Sequence, residues 1–332
     1  MKVSILDLSP IASSQSPKEA LQYSARLAQA AEALGYQRFW VSEHHDLPGL
    51  ASSAPEVLIS YIGAQTKTIR LGSGAVLLPH YKPYKVAEVF HTLETLFPGR
   101  IDVGVGRAPG GSAEATNALN NNFLQKVANM PELVEELLHF LYEDFPDDHP
   151  FHHVQAAPVP NEPPVPWLLG TSKKSAALAA EKGIGYVFGE FMSNQDGKDL
   201  IKTYKNNFSP LRKRDTSYVI VTVSAVCAET TDKAEAIAQS ALVWGIQRDK
   251  GEGQKGVPAI EDAQEYPLTA KEKATLAKRK QKMFIGDSDT ISNQLQDLAQ
   301  EYQADEIMIN TVAHDIEHRI QSYEQIAQAL SL

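Results

Sequence analysis

Apolar runs recur along this chain, each closed by a polar or glycine-containing break and followed by residues at helical spacing. The first run is KVSILDLSP, ending at Pro10. In the stretch after it, SPKEALQYSARLAQAAEALGY, Leu21, Ala25, Ala28 and Leu34 recur at a helical period. Ser16 suits the cap of that helix, Pro17 and Glu19 its first turn, and Gly35 its end. The strand pattern repeats in RFWVSEHH, IRLGSGAVLLP, RIDVGVGRAPG, PVPWLLG, IGYVFGE, SYVIVTVSAVCAE and DEIMIN. Helical stretches separate them: APEVLISYIGAQT, KPYKVAEVFHTLETLF, residues 123–142, SKKSAALAAEKG, residues 195–207, residues 231–243 and the residues after GDSDT. The strand runs are almost continuously apolar, as expected when both faces of a parallel sheet are covered. Eight strands alternating with helices predict a closed (β/α)8 TIM barrel, with an open doubly wound sheet as the alternative. Two segments read as insertions, a proline- and histidine-rich one after the fourth strand and the polar residues 247–282 after the seventh. No linker composition divides the chain, so residues 1–332 read as one domain.

Charge and composition narrow the partners. The formal net charge is −10, which argues against a nucleic acid or an anionic membrane surface as the main partner. The single cysteine, Cys227, permits no intrachain disulfide and sits in a strand run as core filler. The N-terminal run is too short and too interrupted for a signal peptide, and no segment is a spanning helix. A cytoplasmic enzyme is the expectation.

In a barrel of this kind, sites collect at the C-terminal ends of the strands. Ser9, Glu43, His44, His45, Arg107, Thr171, Ser172 and Glu190 all fall there. Any one of them could be a solvated strand end. Together an arginine, histidines and hydroxyls make a pocket suited to an anion and to redox chemistry. In GTSKKSAALAAEKG, Thr171, Ser172 and Ser175 open a helix, where N–H groups and hydroxyls suit a phosphate or serve as an ordinary cap. GVGRAPGG does not have the spacing of a dinucleotide fingerprint, and no P-loop pattern occurs. Gly72 and Gly74 lie inside a strand, which marks either close packing or close approach to a ligand. His44 and His45 are neighbours on a strand, so their side chains diverge and do not suit one metal ion. No metal is expected.

Four blocks, VSEHH, LGSGAVLLPHYKP, PGRIDVGVGR and WLLGTSKKSAALAAEKG, occur in the order found in the bacterial luciferase-like flavin monooxygenases, and the whole chain resembles that family. The resemblance implies reduced FMN and O2 as reactants, a peroxyflavin as the oxidant, a small organic substrate and a separate reductase that supplies FMNH2. It assigns His44 as the active-site histidine, Arg107, Ser172 and Ser175 to the flavin phosphate, and Gly74 and Ala75 to a cis peptide under the flavin ring. Thr171 stands where luciferase has a glutamate beside the phosphate, and Gly106 replaces a reactive cysteine, so light emission is not expected. The resemblance further implies a mobile lid at residues 247–282 and a homodimer through helices 55–66 and 84–97. Rival readings are an F420-dependent hydride-transfer enzyme on the same barrel and a non-catalytic, luciferase beta-like flavin-binding protein.

Overall fold

The computed structural model describes residues 1–213 and 215–332. Among the described residues ten strands form one sheet: β1 (Lys2–Asp7), β2 (Arg38–Val41), β3 (Arg70–Ser73), β4 (Val76–Leu77), β5 (Ile101–Gly106), β6 (Val165–Gly170), β7 (Gly185–Gly189), β8 (Val219–Cys227), β9 (Met283–Gly286) and β10 (Glu306–Asn310). Every pairing is parallel, and the path closes because β10 pairs with both β8 and β1. β4 continues the line of β3 against β5. The result is a closed eight-stranded barrel wrapped by helices, the (β/α)8 architecture expected from the alternation. β9 stands outside that count and pairs with the second half of β8, Ser224 to Cys227.

The first helix, Pro17–Ala33, has the expected start: the Ser16 side chain accepts from the Glu19 N–H, and Glu19 returns the bond to the Ser16 N–H. Residues 123–142, read as one helix, are two, Phe123–Ala128 and Met130–Tyr142. Pro131 is the reason: inside a continuous helix it would remove a backbone bond, whereas it is tolerated in a first turn. The helix expected over residues 231–243 runs on to Asp249, so the polar segment 247–282 begins inside it and continues as the helices Ile260–Glu265 and Ala270–Lys280.

Strand alternation sorts side chains into an outer core against the helices and an inner core within the barrel. Phe39 and Val41 of β2 pack outward with the helices, while Trp40 packs inward with Leu6, Trp167 and Met308. Gly72 leaves room for this inner layer, since a Cβ there would lie 2.6 Å from the Trp40 Nε1. Of the two glycines inside the third strand run, Gly72 therefore serves packing. Below the tryptophans the interior is ionic. Asp102 accepts from Arg38 at 2.9 Å, Arg70 at 2.7 Å, Trp40 at 3.0 Å and Trp167 at 3.3 Å. Arg38 also pairs with Glu306 at 2.9 Å. This network closes the N-terminal end of the barrel and leaves the C-terminal end open for a site.

Candidate functional site

A cavity of about 490 Å³ opens at the C-terminal mouth of the barrel. His44, Gly74, Ala75, Arg107, Thr171 and Ser172 all line it, although they come from four separate stretches of chain. Their convergence follows from the topology, because each follows or ends a strand of one closed parallel barrel.

At one side Arg107 leaves the end of β5 and donates through Nη2 to the Ser172 Oγ at 3.2 Å. Ser172 caps the helix Lys173–Glu181, accepting from the Ser175 N–H at 3.3 Å. The first turn of this helix holds Lys173 and Lys174 and no carboxylate. Cations there oppose the helix dipole and favour an anion in front of it. Ser175 does not reach the cavity wall. Its hydroxyl donates to the Ser172 carbonyl at 2.8 Å and accepts from the Ser172 N–H at 3.2 Å, so it is committed to the cap.

On the floor, the peptide between Gly74 and Ala75 is cis. Glu43 holds the chain just beyond it. Its buried carboxylate accepts from the Leu77 N–H at 2.9 Å, from the Tyr81 hydroxyl at 2.7 Å, and pairs with the His45 Nε2 at 2.7 Å. Gly106 faces this floor, where an added Cβ would stand 3.2 Å from the Ala75 Cβ. At Gly74 an added Cβ would stand 2.6 Å from the Leu6 Cδ1, so that glycine serves packing, and it is the missing side chain at Gly106 that leaves the floor open.

His44 and His45 diverge as strand alternation requires. His45 turns to Glu43, while His44 lines the cavity with its Nδ1 3.0 Å from the Ser42 Oγ. Burial, with smaller contributions from Arg248 and His45, lowers the His44 pKa to about 4. His44 is therefore a neutral imidazole at pH 7, with Nδ1 fixed by Ser42 and Nε2 left for the cavity. The rest of the wall is largely apolar, with Leu6, Leu8, Leu50, Leu169, Val187 and Phe191.

Two expected mouth residues stand elsewhere. Ser9 is fully buried, with a left-handed φ of 49°, and bonds Asp7 and Ser24 rather than the cavity. Glu190 is displaced from the wall by its neighbours Gly189 and Phe191. Conversely, Ser42, Thr222 and Arg248 line the cavity and were not singled out from sequence. Alternation from His44 would have found Ser42. Arg248 lies in the long helix after β8, and no local pattern marks it. Among the described residues no group of three histidine, cysteine or acidic side chains is disposed to hold a metal ion, and no helix is long and apolar enough to cross a membrane.

Comparison with known proteins agrees with this geometry. A family model described as luciferase-like monooxygenase matches residues 1–306. The chain is 41% identical over 326 residues to the uncharacterized protein YceB of Bacillus subtilis (strain 168), covering 98% of each. It is 35% identical over 333 residues to the N-acetyl-S-alkylcysteine monooxygenase of the same organism, covering 99% of this chain and 98% of that one. Among solved structures, apo-MsnO8 superposes with a TM-score of 0.91 at 33% identity, covering 100% of this chain and 98% of that one. The chain belongs to the luciferase-like monooxygenase family.

Proposed function

We propose that this protein is the oxygenase of a two-component flavin system, transferring one atom of O2 to a small organic substrate. The observation that carries the reading is the sharing of one apolar-walled cavity by the Arg107–Ser172 pair, Gly74, Ala75 and His44. Reduced FMN, delivered by a separate flavin reductase, would supply the electrons and activate O2. The residues fit such a group: a cation beside a helix start suits its phosphate, and the floor left open by Gly106 suits a flat ring.

Arg107 and the hydroxyls of Thr171 and Ser172 would hold the phosphate, with Ser175 locking Ser172 in place. Gly74 and Ala75 would bear on the ring, held from below by Glu43 through Leu77. His44 would take or give a proton at Nε2, its ring oriented by Ser42 at Nδ1. The leucines, Val187 and Phe191 exclude water, which keeps activated oxygen from being lost as hydrogen peroxide. Residues 247–282 would act as a lid on this cavity, a role supported by Arg248 of that segment already lining the wall. The whole chain, residues 1–332, would work as one domain. We further propose a homodimer through the second and third helices, Pro55–Gly63 and Pro83–Leu96, whose outer faces expose Val57, Tyr61 and Leu96.

The test is anaerobic loading with reduced FMN, followed by isotopically labelled O2 and a panel of S-alkylcysteine derivatives, aldehydes and ketones. The S-alkylcysteines come first because of the name carried by the relative at 35% identity. One labelled atom in the organic product supports the reading. Turnover without O2 using reduced F420 favours the hydride-transfer alternative. Failure to consume O2 with any reductant favours a non-catalytic flavin-binding protein.

A further inference from the structure

We infer that a second, smaller cavity beside the flavin site binds the acid group of an organic anion, a carboxylate or sulfonate, and that Arg248 is the residue that receives it. This second cavity has a volume of about 280 Å³ and shares Leu8, Phe191 and Arg248 with the wall of the larger one. A single molecule can therefore lie across the boundary, with its head in the small cavity and its body toward His44.

The small cavity is cationic. Arg248, Arg279 and Lys282 line it, and no carboxylate does. Two of these cations are already engaged. Arg279 pairs with Asp249 at 2.6 Å, and the Lys282 Nζ donates to the Ser193 carbonyl at 2.9 Å and to the Asn194 Oδ1 at 2.6 Å. Arg248 differs. Among the described residues its guanidinium has no ion-pair or hydrogen-bond partner, and it stacks over the Trp244 ring at 4.3 Å. Its head is oriented but its donors are unspent. An arginine remains charged at any ordinary pH and presents a fork of donors matched to a carboxylate or sulfonate. The side chain also sits close enough to His44 to lower that residue's affinity for a proton.

The chain carries a formal charge of −10, so an anion is repelled by the molecule as a whole. Capture then requires a local concentration of positive charge, which this cavity supplies. The remaining wall, with Phe191, Leu242, Trp244, Met283 and Val312, suits an apolar body. The ligand class is thus an amphipathic acid whose apolar portion reaches the flavin side.

This inference rests on the proposed monooxygenase reading only for the fate of the ligand. Binding can be read without turnover, by titration calorimetry. The probes are octanoate, octane-1-sulfonate and the neutral octanamide, titrated into the full chain, its Arg248→Gln and Arg248→Lys variants, with FMN titrated into each. We expect both anions to bind the wild type about tenfold or more tighter than the amide. Arg248→Gln should abolish that preference and Arg248→Lys should keep part of it. Equal binding of acids and amide by the wild type, or an undiminished preference in Arg248→Gln, overturns the assignment. Loss of FMN affinity in Arg248→Gln also overturns it, by assigning the arginine to the cofactor. If no form binds FMN but the anion preference holds, the flavin reading fails and the anion site stands.

Discussion

The Nδ1 of His44 lies 3.0 Å from the hydroxyl of Ser42, two residues back on the same strand end. Strand alternation brings them to one side, so the imidazole is oriented by its own local sequence. That leaves Nε2 as the atom that can exchange a proton in the cavity. His44→Ala should retain FMN and lose about 10²–10⁴-fold in oxygen transfer, as for removal of a positioned acid or base. Reduced-flavin single turnover with product analysis reads both quantities, and unimpaired transfer would refute the role.

The pH dependence follows from the His44 pKa of about 4. Activity should show no His44 inflection near 6.5, and protonation of this side chain should matter only on approach to pH 4. The sign for stability is also fixed. Between about 4 and 6.5 the unfolded chain binds the proton and the folded chain does not, so this residue makes stability rise with pH across that window. The drop from 6.5 to about 4 corresponds to about 3 kcal/mol at most. Urea unfolding of the wild type and His44→Ala across that range measures it, and parallel pH profiles for the two would contradict it.

Glu43 is the support of the cavity floor. Its buried carboxylate ties Leu77, Tyr81 and His45 together. Glu43→Ala leaves a buried N–H and a half-buried hydroxyl without acceptors and should destabilise by about 2–4 kcal/mol, against about 1 kcal/mol for Tyr81→Phe. Chemical denaturation ranks them. Equal small effects would mean that Glu43 is dispensable to the floor.

The ionic end of the barrel should be more sensitive still. Burial pushes the Asp102 pKa up, but Arg38 and Arg70 outweigh it and hold the carboxyl below its ordinary value. Stability from Asp102 is thus fully present above its ordinary carboxyl value and lost as pH falls below that value toward the lowered folded one. Asp102→Ala leaves Arg38 with Glu306 alone, takes from Arg70 its carboxylate partner and from Trp40 and Trp167 their acceptor, and should cost about 3–5 kcal/mol. A variant as stable as the wild type in urea would contradict this.

Much of the fold was legible because the barrel rhythm is written in composition. Near-continuous apolar strands and punctual caps, such as Ser16 with Glu19, are local signals. The candidate site was legible at second hand: once eight strands close, the residues after them must converge. What was not legible depends on distant contacts. β9 is a four-residue strand after a lysine-rich helix, and only the overhanging second half of β8 gives it a partner. Ser9 carries a polar side chain at a strand end, as a site residue would, but a left-handed turn and the Asp7 and Ser24 side chains draw it inward. Arg248 enters the cavity from the last turn of a long helix, which a helical period cannot disclose.

The proposed dimer gives a further expectation. Val57 and Leu96 are large apolar side chains exposed on the second and third helices. Val57→Asp with Leu96→Asp should convert a dimer into a folded monomer, since a charge buried in such an interface is strongly unfavourable. Sedimentation reads the result. A monomeric wild type, or a double variant that stays dimeric, would exclude this face as the interface.

On the proposed reading, the barrel mouth holds FMN by its phosphate between Arg107 and the Ser172 cap. Titration of oxidised and reduced FMN into the wild type and Arg107→Ala tests it most directly. We predict saturable binding by the wild type and a loss of about 10- to 100-fold in the variant, the size expected for charge-assisted hydrogen bonds to a phosphate. Equal affinity of the two proteins, or no binding by the wild type, would contradict it.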